Sequence, residues 1–436
     1  MKQPQALNAR NDSSQARFSK RIARALCLQA FLLLGTLAVA DEAHPADAPA
    51  NWFTPSLTYD AAVLGNMRGG ARTGITYAGN LHLKLTALGE TIGLPGTDAF
   101  VDVLTIHGGH PSRFAGDAQG VSNLEGPAGT QVEELWLQHN FTGSRASLLV
   151  GIYDLNSEFY RLQSAGLFLN SAFGIGPEFA QSGVEGPSIF PRTSAGLRVA
   201  FKPTADTVLR VALLDGVPVV RPDGSRAAFR GDDGLLMVGE FAVLSRPGTH
   251  TDRQSSVRDR IGRFSSLAPS DAKVALGVWR YSGRFPDLSD IDAAGNPQPR
   301  RGSSGAYAVG ERMLIGGDRL SGGRIAAFAQ AGVADERTNR FGSYLGAGIV
   351  GSGWGSMKDS DQFGASIAHA NNGSHYARAQ AGRGVNRAET TVELTYLAQV
   401  AKYLTVQPNL QYVIHPNTDP SIGNALVFQI RFEIAF

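Results

Sequence analysis

Ala425-Leu-Val-Phe-Gln-Ile-Arg-Phe-Glu-Ile-Ala-Phe436 carries an apolar side chain at every second position from Leu426 through Phe428, Ile430, Phe432 and Ile434 to Phe436. Between them stand Val427, Gln429, Arg431, Glu433 and Ala435. Successive side chains of a β-strand point to opposite faces, so this spacing describes a strand with one greasy face and one largely polar face. A strand of a soluble sandwich shares that alternation but seldom sustains it so long. In a membrane barrel the apolar face meets lipid and the other faces the lumen. A one-residue slip of register would turn the whole apolar set into water.

The same alternation recurs upstream. Leu81, Leu83 and Leu85 alternate with His82, Lys84 and Thr86, and Ala195, Leu197, Val199 and Phe201 with Gly196, Arg198 and Lys202. Val392, Leu394 and Tyr396 alternate with Glu393 and Thr395, and Leu410 and Tyr412 with Asn409 and Gln411. Beyond the leader no segment reaches the roughly eighteen uninterrupted apolar residues that a membrane-spanning helix needs. The 52 glycines are dispersed, as turns and curved strands require. These features predict an all-β fold, a transmembrane antiparallel β-barrel. Ser245–Lys273 and Ser282–Gly305 are polar, lack alternation and read as long external loops.

Residues 1–40 differ from the rest. Lys2, Arg10, Arg17, Lys20, Arg21 and Arg24 precede an apolar run from Ala25 to Ala40 that ends in Ala38-Val-Ala40. This is the pattern of a signal peptide cleaved before Asp41, leaving 41–436 as one barrel domain without internal boundaries. The leader holds six basic side chains and one acidic, which leaves 34 basic and 37 acidic residues, a net charge near −3. That balance gives no support to a nucleic-acid partner. The single cysteine, Cys27, lies in the leader, so the exported chain has no thiol for a disulfide, a metal or a nucleophile.

Several segments, taken together and in order, resemble the OprB family of carbohydrate-selective porins. They include Phe100-Val-Asp-Val-Leu-Thr-Ile-His-Gly-Gly-His-Pro-Ser112, Asn123-Leu-Glu-Gly126, Val132-Glu-Glu-Leu-Trp-Leu137 and Gly151-Ile-Tyr-Asp-Leu-Asn-Ser-Glu-Phe-Tyr160. Phe168-Leu-Asn-Ser-Ala-Phe-Gly-Ile-Gly-Pro-Glu-Phe179, Pro191-Arg-Thr-Ser-Ala-Gly-Leu-Arg198, Pro408-Asn-Leu-Gln-Tyr412 and Asn424-Ala-Leu-Val427 continue the likeness, whereas residues 245–305 match nothing. The resemblance implies a sixteen-stranded barrel in the outer membrane, surrounded by lipid and working as a monomer, that passes glucose-like sugars into the periplasm. A nonspecific diffusion porin and an outer-membrane barrel hydrolase are the alternatives.

A sugar offers hydroxyls and flat C–H faces, so its path calls for carboxylates, amides, guanidiniums and aromatic planes. Glu134, Trp136, Gln138 and Asn140 share one strand face and supply an acceptor, a stacking plane and two amides. Arg68 and Arg72 lie in the glycine-rich Gly65–Gly74 segment, and Arg198 lies on a polar strand face; Arg68, Arg72 or Arg198 is expected across the pore from Glu134 and Trp136. Asp154, Asn156 and Glu158 belong to a turn-rich loop that the resemblance makes a pore-narrowing segment.

Enzymatic and cofactor motifs are thin. Gly346-Ala-Gly-Ile-Val-Gly351 has the letters of a dinucleotide fingerprint, but Gly-Ser-Gly-Trp-Gly-Ser follows where a helix must begin. No G-x-S-x-G elbow, H-E-x-x-H pair or P-loop occurs, and His107-Gly-Gly-His110 lacks further ligands, so neither cofactor nor metal is expected. A Ser–His–acid cluster brought together in space would favour the hydrolase.

Overall fold

The computed structural model describes residues 53–141, 143, 145–218, 234–245, 272–315, 323–354, 357 and 360–436. Its first eight strands are β1 (Phe53–Gly70), β2 (Gly74–Leu88), β3 (Thr97–Gly108), β4 (Gly129–Asn140), β5 (Ala146–Tyr153), β6 (Ser194–Phe201), β7 (Thr207–Asp215) and β8 (Leu235–Ser245). The other eight are β9 (Ala272–Ile291), β10 (Pro297–Ile315), β11 (Arg324–Ala334), β12 (Phe341–Ser352), β13 (Gln362–Asn372), β14 (Ala388–Ala401), β15 (Leu404–Ile414) and β16 (Gly423–Ala435). Each pairs antiparallel with its neighbours in sequence, and β1 pairs with β16 through Tyr59↔Ile434, Ala61↔Phe432 and Val63↔Ile430. Closure satisfies the backbone N–H and C=O groups that hydrocarbon cannot, which leaves no open sheet edge.

The two faces of β16 fall as their alternation requires. Phe428 and Phe432 are 41% and 39% exposed on the outer surface, whereas Gln429 and Arg431 are buried inside. The chain closes on itself at one rim, where Leu57 and Phe436 exchange backbone hydrogen bonds of 3.1 and 2.9 Å. Described turns at this rim are short, such as Lys402–Tyr403 between β14 and β15. The opposite rim carries the connections 109–128, 154–193 and 373–387. Barrels of this kind have long extracellular loops and short periplasmic turns, which sets the orientation.

Two loop expectations need revision. Residues 282–305 are not a loop: β9 and β10 run on as a long hairpin, with Phe285 opposite Arg300, around a turn at Asp292–Asn296. The extension rises beyond the hydrocarbon layer, where no acyl chains select apolar residues on one face, so its strands lack the alternation that marks the rest. Residues 246–271 of the other segment lie outside the described residues. The strand ends that flank them, Ser245 and Ala272, pair on the periplasmic rim rather than the outer one.

The interior is not an open polar tube. Loop 154–193 folds inward and places Phe159, Tyr160, Phe168, Phe173 and Phe179 in one apolar cluster with Trp279, Tyr281, Tyr307, Phe328 and Tyr344 of the wall. Phe179 stacks flat on Trp279 with ring centroids 4.8 Å apart. Gly332 and Gly364 let the loop come close, since a Cβ on either would meet Glu178 or Phe168 at less than 3 Å. Gly346–Gly351 lies within β12, where no helix N-terminus is available to a phosphate.

Candidate solute path

A loop buried in a barrel needs partners for its own backbone groups. The wall supplies them from inward-facing glutamates. Glu393 of β14 accepts from the backbone N–H of Leu169 at 2.7 Å and of Asn170 at 3.1 Å, and Glu311 of β10 from Gln163 at 3.0 Å and Ser164 at 2.8 Å. Glu240 of β8 accepts from Tyr160 N–H at 2.9 Å, and Glu389 of β14 takes Ala118 and Gln119 of the connection 109–128 at 2.8 and 2.9 Å. Amides serve the loop carbonyls: Gln407 donates to Leu167 at 2.7 Å, Gln330 to Phe173 at 3.0 Å, and Gln411 and Gln429 both reach Val121. Glu393, Glu311 and Glu389 thus each span two donors, a charge-assisted arrangement that fixes the infolded connections to the wall.

Between the infolded loops and the wall of β1, β15 and β16 lies a small, water-sized cavity. Asp60, Gln407, Arg431 and Glu433 line it from the wall, and Asn123 and Gly166 from the loops. Carboxylates, a guanidinium and amides are the groups that exchange with water for sugar hydroxyls.

The structure brings most of the expected site residues together, although not as an open face. Glu134, Trp136, Gln138 and Asn140 point inward while Leu135 and Leu137 face out, 49% and 60% exposed. Trp136 is only 3% exposed: it stacks on Phe100 with centroids 5.2 Å apart and donates to Glu134 at 3.1 Å. Arg198 of β6 is gripped by Glu158 at 2.7 and 3.1 Å, by Ser147 Oγ at 2.6 Å and by Gln138 at 2.6 Å. Tyr153 donates to the same Glu158 at 2.6 Å. Asp154 accepts from Asn156 N–H at 2.9 Å, and Asn156 reaches the Gly174 carbonyl at 2.8 Å, clasping the two ends of a loop segment. Asn140 donates to Asp98 at 3.2 Å. Glu134, Trp136, Gln138, Arg198 and Glu158 form a clamp at the base of loop 154–193, whereas Asn140 stands at the periplasmic end of β4 beside Gly96.

Arg68 and Arg72 stay outside that cluster. Both are exposed at the outer end of β1, where the pairing with β16 shifts register, and Arg72 lies over the Phe114 ring at 4.2 Å. Sequence reasoning passed over Asp60, Glu240, Glu311 and Glu389. Their only signal is an acidic residue at a lumen-facing strand position, shared with ordinary polar wall residues.

A Ser–His–acid contact does occur, at Ser289, His375 and Asp287 on the extracellular extension. Ser289 Oγ and Asp287 Oδ1 both approach the same ring nitrogen, Nδ1, at 2.9 and 2.8 Å. A nucleophilic triad needs the serine on one nitrogen and the acid on the other, so this is not a proton relay. Asp287 and Asp290 are also bonded by Arg300 at 2.7 and 2.8 Å, which makes the group a latch between the hairpin and the short helix Ser374–Ala379.

A closed barrel with an apolar outer face and loops folded into its lumen has the architecture of an outer-membrane channel. The chain belongs to the carbohydrate-selective porin, OprB family, whose model matches residues 72–436. It is similar to Porin B of Pseudomonas aeruginosa, with 25% identity over 351 residues, 74% of this chain and 72% of that one. Among solved structures it resembles the high-pH structure of Pseudomonas putida OprB, with a TM-score of 0.75, 19% identity, and 88% and 94% of the two chains covered. The low-pH structure of the same protein gives 0.52 at 15% identity, with 88% and 92% covered. The chain is thus an outer-membrane carbohydrate porin.

Proposed function

We propose that the chain passes glucose-like sugars by passive diffusion as a monomer, along the gap lined by Asp60, Gln407, Arg431 and Glu433. What supports this route is the chemistry of its lining: two carboxylates, a guanidinium and an amide surround a small cavity between this wall and the infolded loops. Weak, exchangeable hydrogen bonds suit a channel, since a solute that binds must also leave. The Glu134–Trp136–Arg198–Glu158 clamp then sets the position of the narrowing loop rather than touching the sugar. Residues 1–40 serve as the export signal, which an N-terminus at Asp41 on the outer-membrane form would establish.

Liposome swelling with glucose, amino acids and organic acids of similar size tests the reading. Faster entry of the sugars, together with partial block of single-channel current by millimolar glucose, is expected. Entry ordered by size alone, with no block, would make the chain a nonspecific pore. Light scattering in detergent should return the mass of one chain.

A further inference from the structure

We infer that the outer face of the β9–β10 hairpin binds the phosphate of an outer-leaflet lipid headgroup through Arg280, Arg284 and Arg301. On β9, Val274, Leu276 and Val278 face outward, each about 60% exposed, and the next outward positions beyond them hold Arg280, Ser282 and Arg284. On β10, Arg301 stands directly across from Arg284, on the same face. All three arginines are exposed. Among the described residues none of them has a hydrogen-bond or ion-pair partner.

Three features point to an anion. Like charges directly opposed on neighbouring strands destabilise the pair, so Arg284 against Arg301 is a cost unless something negative sits between them. The Arg280 side chain reaches along the strand to within 3.4 Å of the place a Cβ on Gly302, next in sequence to Arg301, would take. All three are arginine, whose planar fork matches phosphate oxygens in pairs.

Position selects the lipid as the source. With a rise of about 3.3 Å per residue and a tilt near 40°, the eight residues from Ala272 to Arg280 climb roughly 20 Å, close to the ~25 Å apolar band of such barrels. Arg284 and Arg301 stand about 10 Å higher by the same measure, at headgroup level. Acyl chains of the bound lipid would lie along Val274, Leu276 and Val278 and hold its phosphate against the cluster.

The test uses the full-length barrel in neutral detergent with phosphatidic acid added in mixed micelles, beside diacylglycerol of the same chains and inorganic phosphate. Phosphatidic acid should be retained in native mass spectra and raise the melting temperature, and diacylglycerol and millimolar phosphate should do neither. Combining Arg280→Gln, Arg284→Gln and Arg301→Gln should weaken phosphatidic acid binding tenfold or more, whereas Arg312→Gln, near the periplasmic end of β10, should leave it unchanged. Arg301→Glu guards against a variant that fails to fold, because it puts an opposite charge across from Arg284. It should raise the melting temperature in neutral detergent and abolish the lipid-induced gain. Equal binding of diacylglycerol, competition by inorganic phosphate, or undiminished binding in Arg301→Glu would each overturn the assignment.

Discussion

Phe428 and Gln429 are neighbours in sequence with opposite solvents, and the cost of a charge at each follows from that. Arg in place of Phe428 meets hydrocarbon near the middle of β16, where such a change costs about 2–4 kcal/mol and falls towards the rims, so Phe432→Arg should cost less. Urea titration of the barrel in lipid vesicles, with heat-modifiable mobility on gels, reads both. Equal losses at the two positions would contradict the placing of the apolar band. The direction of Trp136 was legible from alternation, but its surroundings were not. The groups that bury it come from β3 and from a loop that folds in from the far rim, and no local pattern announces them. Trp136 fills space between Phe100 and the clamp, so Trp136→Ala should destabilise the barrel by about 3–5 kcal/mol through the void it leaves. Single-channel noise should rise with it, since the loop base loses a wall.

At the scale of elements, the lipid-spanning strands were readable because each obeys one solvent on one face. The β9–β10 extension and the infolded loops were not, since their partners are other polypeptide segments and their polar groups are satisfied at a distance. Glu311 shows the consequence. It holds Gln163, Ser164 N–H and Ser164 Oγ, the last at 2.5 Å, so Glu311→Ala leaves buried donors unmet and should cost about 1–3 kcal/mol. Hydrogen exchange at residues 160–170 should speed up and conductance should rise, while Glu311→Gln retains part of both. Outside the membrane, Glu336 docks the helix Ser374–Ala379 by accepting from Ser374 N–H at 3.0 Å and Ser374 Oγ at 2.5 Å. Those bonds hold its carboxyl below the ordinary value of 4.5. A depressed carboxylate stabilises the docked form above its unfolded pKa, and the gain is lost as pH falls through the folded one. Protection factors at Ser374 should therefore drop in acid, as pH falls below the ordinary carboxyl value of 4.5. In Glu336→Gln they should be lower throughout and insensitive to that fall.

For the whole molecule, two structures share one chain: a hydrogen-bonded cylinder and a packed loop inside it. The cylinder closes through backbone pairs between all sixteen strands, and none of those ladders uses loop 154–193. Its lipid contact is likewise made by outward residues the loop never touches. Replacing residues 157–186 by a short glycine-serine turn should therefore leave a closed, membrane-inserted barrel. The loop's removal has two energetic effects of opposite sign. Trp279, Tyr281, Tyr307, Phe328 and Tyr344 lose their apolar cover and become wet, at about 25 cal/mol per Å² of apolar area exposed. Glu240, Glu311 and Glu393 regain water in place of backbone donors, which offsets part of that loss. A lower urea midpoint with retained heat-modifiable mobility is the expected balance. Function should change in kind, because the gap beside Asp60, Gln407, Arg431 and Glu433 no longer has Gly166 and Leu169 as its other side. Ion conductance should rise several-fold, and millimolar glucose should cease to block it, since a solute in a wide lumen can pass without touching the polar wall. A deletion barrel that conducts no better than the parent, or is still blocked by glucose, would show that the narrowing lies elsewhere and that the proposed path is wrong.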